Sequence, residues 1–451
     1  MLPDGGVVLA QGEPVGVVAP VLGRHVRVAG AGRGLEFDHG SHLVSGHRVP
    51  FWLRSCAMIT KTIIITTPGG SLATPVVLVA GLHPTARTAT VERLLAGHPG
   101  SVAVHHDLGE VTRGRVRRTV RDAGRVLDSA DVLLAHGCVT CTVREDLLPQ
   151  LVLLAPGAPL LIVDLWDSVE PRAVAEAIDC DAARETLRLT AVLTALDAEA
   201  LPDDLTRGER LAEIGRPAAG GDQRYLAEVL ARQLEYATGL VLHGGDEDDH
   251  ELSLRVLTHL APLTPVHAVA ALPRVTGAAL CAAELAERVD PGTARLPCDA
   301  RTDEIVTTVW RSRRPLHPAR LFEAVDELVT ESVRSRGRFW LATRPGQLLA
   351  WDAVAGVVSA EDAGPWLAAL PEAAWDLVSP ARRLTGALDW ADPYGDRVQH
   401  LVFTGPGLDP GRFHALLDSC LLTGEEEAAG PGAWARYDDP FAPILNLKET
   451  A

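Results

Sequence analysis

The chain has 451 residues, 42 Lys and Arg against 59 Asp and Glu, and a formal net charge of −17. That length supports two or three domains with cores of their own, and 47% apolar with 22% charged residues excludes wholesale disorder. The acidic surplus argues against nucleic acid as a partner, because phosphate contacts need a basic face.

Residues 1–57 carry no sustained period-2 or period-3.6 pattern, and no cationic stretch followed by an apolar one that would make a signal peptide. The only lysines are Lys61 and Lys448, so a GC-rich coding sequence is implied, against which Met58 to Thr67 stands out as an AT-rich island. Residues 1–70 are expected to be a poorly ordered leader, with the working start at or after Met58. From Pro75 the pattern becomes regular. Val76-Val-Leu-Val-Ala80 is a short apolar run ending in Gly81, which suits a strand buried on both faces. Helical spacing follows from Thr88 to Leu95. Strands are predicted at Val102–His105, Val132–Ala135, Leu160–Val163, Leu189–Leu196 and Gly239–Leu242. Thr142-Val-Arg-Glu145 has the capping-box spacing and is expected to open a long helix, and another helix is expected from about Pro171. Between these two, Leu151 to Trp166 is the longest apolar candidate for a membrane span, but Pro156, Gly157 and Pro159 break it below the roughly 18 residues required.

Strands alternating with helices specify an α/β domain, a mostly parallel sheet with helices on both faces, over 75–263. Residues 264–317 read as a connecting segment ending in a Pro-rich stretch. A smaller α+β domain is expected over 318–424, with a helix at Pro318–Val333, strands at Phe339–Thr343, Leu348–Val358 and Val398–Thr404, and a helix at Asp409–Leu422. The segment 425–451, which begins with Glu425-Glu-Glu427, reads as a solvated tail.

Four constellations carry chemistry. Gly81-Leu-His-Pro-Thr-Ala-Arg-Thr88 lies between a buried strand and a helix, where a phosphate-binding loop has Gly, four residues, Gly, Lys and Ser or Thr. Gly81 and Thr88 are in register, but Ala86 replaces the second Gly and Arg87 the Lys. Ala86 would be strained in the glycine conformation, Arg87 is a planar fork and not a compact ammonium, and Pro84 removes an amide. The competing reading is an ordinary strand-to-helix turn. In His136-Gly-Cys138-Val-Thr-Cys141 two thiols can share one metal, the usual zinc half-site, and a helix starting at Thr142 would favour the Cys141 thiolate. His136 offers an imidazole, and His105 and His106 are remote candidates. A redox pair and two inert thiols are the alternatives. The chain's seven cysteines are too few for a disulfide scaffold, and their odd number fits a reducing cytosol. Asp164-Leu-Trp-Asp167 ends a strand where a carboxylate can meet Mg²⁺, or can cap a turn. In His243-Gly-Gly-Asp246, Asp246 can accept from a guanine edge, or the segment is only a turn.

In order along the chain, these motifs resemble the CobW-type P-loop GTPases, relatives of the UreG and HypB metal-insertion proteins. Gly137-Cys-Val-Thr-Cys-Thr-Val-Arg-Glu-Asp-Leu147 is similar to the family's Gly-Cys-x-Cys-Cys followed by Thr-x-Arg-Glu-Asp-Leu, with Thr140 in place of the middle cysteine. Asp164 to Asp167 stands where the family has Glu-x-x-Gly, and His243 to Asp246 where it has Asn-Lys-x-Asp. Arg334-Ser-Arg-Gly-Arg-Phe-Trp-Leu-Ala-Thr-Arg-Pro345, and later Gly395-Asp-Arg397, resemble the CobW C-terminal domain. The resemblance implies a zinc metallochaperone in the cytoplasm that serves a zinc-requiring client protein. Zn²⁺ would sit on Cys138 and Cys141 with nitrogen from His136, His105 or His106. It implies GTP at Gly81, Ala86, Arg87, Thr88 and Asp246, and Mg²⁺ at Thr88 and Asp164. Because every nucleotide motif is eroded, it also implies weak GTP binding and little or no hydrolysis. A catalytically dead scaffold and a thiol-redox protein are the alternative functions.

Overall fold

The computed structural model describes residues 26–27 and 73–445, apart from 273, 294 and 295. The expected leader and the Met58–Thr67 island therefore lie outside the described residues, except for the two-residue strand β1 (Val26–Arg27). Val76 to Ala80 are each fully buried and form most of β2 (Thr74–Ala80). A strand covered on both faces must be apolar throughout, and burying each Val or Leu side chain stabilises by roughly 1.5–3 kcal/mol. The rest of its sheet is β3 (Val102–Asp107), β4 (Arg115–Arg121), β5 (Val126–Leu133), β6 (Leu161–Asp164), β7 (Leu187–Asp197), β8 (Gly239–His243) and β9 (Val266–Ala268). Their order is β5-β4-β3-β6-β2-β7-β8-β9. Pairing is parallel from β3 through β9 and antiparallel in the β3–β4 and β4–β5 ladders. The strand expected at Val132–Ala135 is thus only the end of β5. The hairpin escapes an apolar-run search because β5 is exposed along most of its length and is tied by cross-strand charge pairs, Arg117 to Asp131 at 2.9 Å and Arg118 to Asp128 at 2.7 Å.

The second sheet contains β10 (Ala300–Thr302), β11 (Ile305–Ser312), β12 (Arg334–Phe339), β13 (Gln347–Val354), β14 (Val357–Pro365) and β15 (Gln399–Pro406), in the order β1-β14-β13-β12-β15-β11-β10. Helices Pro318–Thr330 and Pro410–Ser419 share its core, where Leu321, Leu328, Phe413 and Leu417 pack with Phe339 and Phe403. Residues 264–317 do more than connect, since β9 completes the first sheet and β10 and β11 belong to the second. Leu348 to Val358 is two strands about a turn, with Ala355 and Gly356 both at positive φ. The solvated tail is also corrected. Trp434 and Phe441 are buried, while Glu426 and Glu427 pair with Arg320 and Arg314, so the glutamate run faces cations and not only water. No described helix is long and apolar enough to cross a membrane.

The Arg334 to Phe339 motif joins the two sheets' domains. Glu235, ending helix Leu226–Tyr236, receives Arg334 Nε at 2.8 Å and an Arg336 nitrogen at 2.9 Å, and Arg334 also pairs with Asp352. Directly after Arg336, a Cβ at Gly337 would stand 2.0 Å from the His400 carbonyl oxygen, so only glycine lets β12 and β15 approach. Beside it, burial together with Arg338 and Arg311 holds the His400 imidazole neutral, with its pKa down to about 3. The unfolded chain binds that proton below about pH 6.5 and the folded chain does not. Stability should therefore fall as pH drops from about 6.5 toward 3, by at most about 1.4 kcal/mol per unit from this group. Urea midpoints at about pH 7 and pH 5 measure the slope. His400→Gln should flatten it, and a wild type with equal midpoints would contradict the assignment.

Candidate functional site

At the carboxyl end of β2 the chain turns at once into helix Pro84–Gly97, with only Leu82 and His83 between Gly81 and the first helical residue. Gly81 has φ 138°, and a Cβ there would stand 2.1 Å from the Ala195 carbonyl oxygen, so the glycine serves the close crossing of β2 and β7. His83 fixes the turn. It accepts the Asp197 amide on Nδ1 at 3.0 Å and donates from Nε2 to Asp204 at 2.7 Å. A phosphate loop encircles its ligand with backbone amides. Here Pro84 has none, the Arg87 amide already bonds the His83 carbonyl at 3.0 Å, Ala86 is fully buried and Thr88 is exposed.

Arg87 turns inward and is 3% exposed. Its guanidinium donates to the Gly81 carbonyl at 2.6 Å and to Asp164 Oδ1 at 3.1 Å, and contacts Asp167 Oδ1 at 2.7 Å. Arg216 approaches the other Asp167 oxygen at 3.3 Å and donates to the Leu82 carbonyl at 3.0 Å. Both carboxylates of Asp164-Leu-Trp-Asp167 are thereby neutralised from within the protein. Asp246 sits apart, on β8's side. It is the N-cap of helix Glu247–Leu260, accepts the Asp249 amide at 3.1 Å and is exposed, which is the capping geometry for this residue.

The cysteine turn follows β5. The helix here begins at Val139 and not at Thr142, because Cys138 is the N-cap and its sulfur accepts the Cys141 amide at 3.4 Å. Thr142 bonds back to the Cys138 carbonyl at 3.0 Å, so the expected capping box does not form. The helix passes through a π-helical stretch, Val143–Leu147, before Leu148–Leu154. Such insertions often mark functional sites. Cys141 is buried one turn in. Burial, then the neighbouring Cys138 sulfur and Glu145, push its thiol up to about 11, opposite to the expected helix-end effect.

His136 is exposed beside this turn. His105 bonds the Asp164 carbonyl through Nδ1 at 2.9 Å, and His106 pairs with Asp146 at 2.7 Å, an aspartate that Arg118 also holds at 2.6 Å. Among the described residues no three His, Cys, Asp or Glu side chains are gathered closely enough to hold an ion. The structure therefore brings Cys138 and Cys141 together and leaves the histidines at separate partners. Sequence reasoning missed Arg216 and the segment after it. The Val139 amide donates to the Ala218 carbonyl at 3.2 Å, and Cys138 is bridged to Ala219. The available signal was a charge pattern. Arg87 and Asp167 are both departures from the resembled family, and of opposite sign.

Known families and proteins resemble this chain. The CobW/HypB/UreG nucleotide-binding domain matches residues 63–265, and the cobalamin synthesis protein cobW C-terminal domain matches residues 305–421. The zinc chaperone Rv0106 of Mycobacterium tuberculosis is 34% identical over 399 residues, 82% of this chain and 93% of that protein. The zinc-regulated GTPase metalloprotein activator 1 of Dictyostelium discoideum is 24% identical over 410 residues, 83% of this chain and 85% of that protein. A solved structure of the Zn(II)-bound YjiA GTPase from E. coli is similar at a TM-score of 0.33 and 15% identity, covering 78% of this chain and 99% of that one.

One glycine makes the cysteine turn testable. A Cβ at Gly137 would stand 1.9 Å from the Val111 carbonyl oxygen. Gly137→Ala should cost about 1–3 kcal/mol of stability, a misfit against backbone that cannot yield. Thermal unfolding is the check, and an unchanged melting temperature would show that the turn is looser than described.

Proposed function

This chain belongs to the CobW family, and we propose that it is a zinc-handling metallochaperone of the cytoplasm. Cys138 and Cys141 take the ion as cargo and pass it to a zinc-requiring client protein. The observation that carries this reading is the cysteine turn itself. A thiol at the helix N-cap and a second one turn later lie close enough for the Cys141 amide to reach the Cys138 sulfur at 3.4 Å. Two sulfurs so placed can close on one ion at about 2.3 Å each. The names of the relatives, a zinc chaperone and a zinc-regulated metalloprotein activator, support the same cargo.

A structural zinc is enclosed by four protein ligands, whereas a carrier needs open positions for its client. Only two sulfurs meet here, and Thr140, where the family pattern has a third cysteine, is exposed beside them. His136, exposed two residues before Cys138, supplies nitrogen when the ion arrives; His105 and His106 are the remote alternatives and would first have to leave Asp164 and Asp146.

The decisive experiment is metal uptake by wild type and by the Cys138→Ala/Cys141→Ala variant. Wild type should bind one Zn²⁺ per chain, and its Co²⁺ form should show sulfur-to-metal charge transfer. The double variant should lose both, and Thr140→Cys should add one sulfur and tighten the site. Equal uptake by wild type and double variant would end the proposal.

A further inference from the structure

The family's nucleotide does not fit the residues at the end of β2. No encircling loop exists to cradle a phosphate, because the helix begins at Pro84. In P-loop proteins a Ser or Thr and an acidic residue hold the Mg²⁺ that joins protein to nucleotide. Here Thr88 is exposed, and the acidic residues Asp164 and Asp167 already contact a guanidinium that is 3% exposed. We propose that Arg87 with Arg216 replaces the nucleotide-borne cation between Asp164 and Asp167, and that this internal clasp, not GTP, sets the geometry of the cysteine pair. The second half of this inference rests on the zinc reading above, whereas the first half does not.

The path from clasp to cysteines is short. Arg216 holds Asp167 and the Leu82 carbonyl. Two residues further on, Ala218 accepts the Val139 amide and Ala219 bridges Cys138. The segment is anchored at its far end as well, since Asp222 accepts the Ala218 amide at 3.0 Å and is gripped by Arg224, which also donates to the Ser168 carbonyl at 3.2 Å. Residues 216–224 therefore form a strap pinned at both ends to the Asp167–Glu170 turn, with the backbone of the metal motif hung from its middle. A second route runs through β3. Asp164 holds His105, the next residue His106 holds Asp146, and Asp146 lies on the cysteine helix. A narrow cavity lined by His106, Thr142, Asp164 and Trp166 places the cleft and that helix side by side. In a working P-loop protein the single acidic residue there shares its cation with the nucleotide and loses that partner with each cycle. An arginine on the same chain cannot leave, so the strap stays in one state.

The test uses the full chain and four measurements. Titration with fluorescent GTP and Mg²⁺ should show no saturable uptake by wild type, and uptake that unlabelled GTP displaces would overturn the proposal. Arg216→Gln alters a partly exposed residue and should fold, as circular dichroism will verify, whereas Arg87→Gln strands the buried Asp167 and the half-buried Asp164 and is the less reliable variant. In Arg216→Gln the Val139 amide should exchange with solvent faster than in wild type, while amides of β7 stay protected. Unchanged protection of Val139 would overturn the strap, whatever the metal results. Co²⁺ affinity should fall by roughly 2- to 30-fold in Arg216→Gln, the usual range for coupling through a contiguous network, with unchanged sulfur count, and excess GTP and Mg²⁺ should leave wild-type affinity unaltered. An unchanged affinity in the variant overturns the coupling. If removing both cysteines leaves uptake intact, the zinc reading fails, and the clasp is then judged by nucleotide titration and amide exchange alone.

Discussion

A guanidinium group taken out of water must find acceptors for its donors, and Arg87 finds them on three separate segments: the Gly81 carbonyl after β2, Asp164 at the end of β6, and Asp167 in the turn beyond. Burying such a cluster gives little net stability, because desolvation offsets much of the attraction. Removing one partner alone is costly, on the order of 3–5 kcal/mol, since it strands the others. The consequence is a constraint on sequence. Once a five-donor fork replaces a compact ammonium at this position, the opposing side needs more acceptors, and Asp167 supplies them where the resembled pattern has glycine. The short turn is part of the same solution. Leu82 and His83 alone cross from strand to helix, and His83 is tied down by Asp197 and Asp204.

Charge pairing also joins the two halves of the molecule. Glu235 receives Arg334 and Arg336 from β12, and Gly337, the next residue, is dictated by the His400 carbonyl. Arg338, next along, turns to Asp389 within its own domain. The three arginines of Arg-x-Arg-Gly-Arg stand two residues apart on one face of β12, the first two serving the interface and the third its own domain. That role explains why the C-terminal motif keeps its pattern in a chain whose nucleotide motifs are eroded. The interface it builds is made of side chains of the protein itself.

Legibility in the sequence tracks the physics of burial. β2, β6, β7 and β8 were readable as apolar runs because both their faces are covered. The β4–β5 hairpin was not, because its cohesion lies in Arg–Asp pairs across strands that expose one or both faces, and such residues read locally as loop. The cysteine helix was placed one turn late. Thr142 and Glu145 have capping spacing, but the N-cap position went to Cys138, a residue type that capping statistics do not suggest. The C-terminal glutamates were read as solvated because their arginine partners lie about 100 residues away in sequence. For the same reason the importance of Arg216 could not be read from any motif. Its partners are Asp167 and a carbonyl at residue 82, and only the fold brings them together.

On the proposed zinc reading, the cysteine turn meets two opposing demands on a carrier. Cys138 stands at the helix N-cap, partly open to solvent, and its sulfur accepts the Cys141 amide. Cys141, buried one turn further in, is held protonated until something displaces the proton. An arriving metal ion does so, and the cost of deprotonating and rearranging Cys141 subtracts from the strength of the final bond. A site assembled in this way binds, but less tightly than four pre-ionised ligands would. Rigidity then becomes the remaining variable. If the backbone around Cys138 were loose, ordering it would add a further entropic cost to binding. Hanging Cys138 and Val139 from the 216–224 strap avoids that cost without adding a ligand. The strap in turn is only as rigid as the ion cluster at its root. The buried arginine that fills the cleft and the shallow two-sulfur turn are therefore parts of one arrangement, in which weak coordination is made specific by a backbone that is held still.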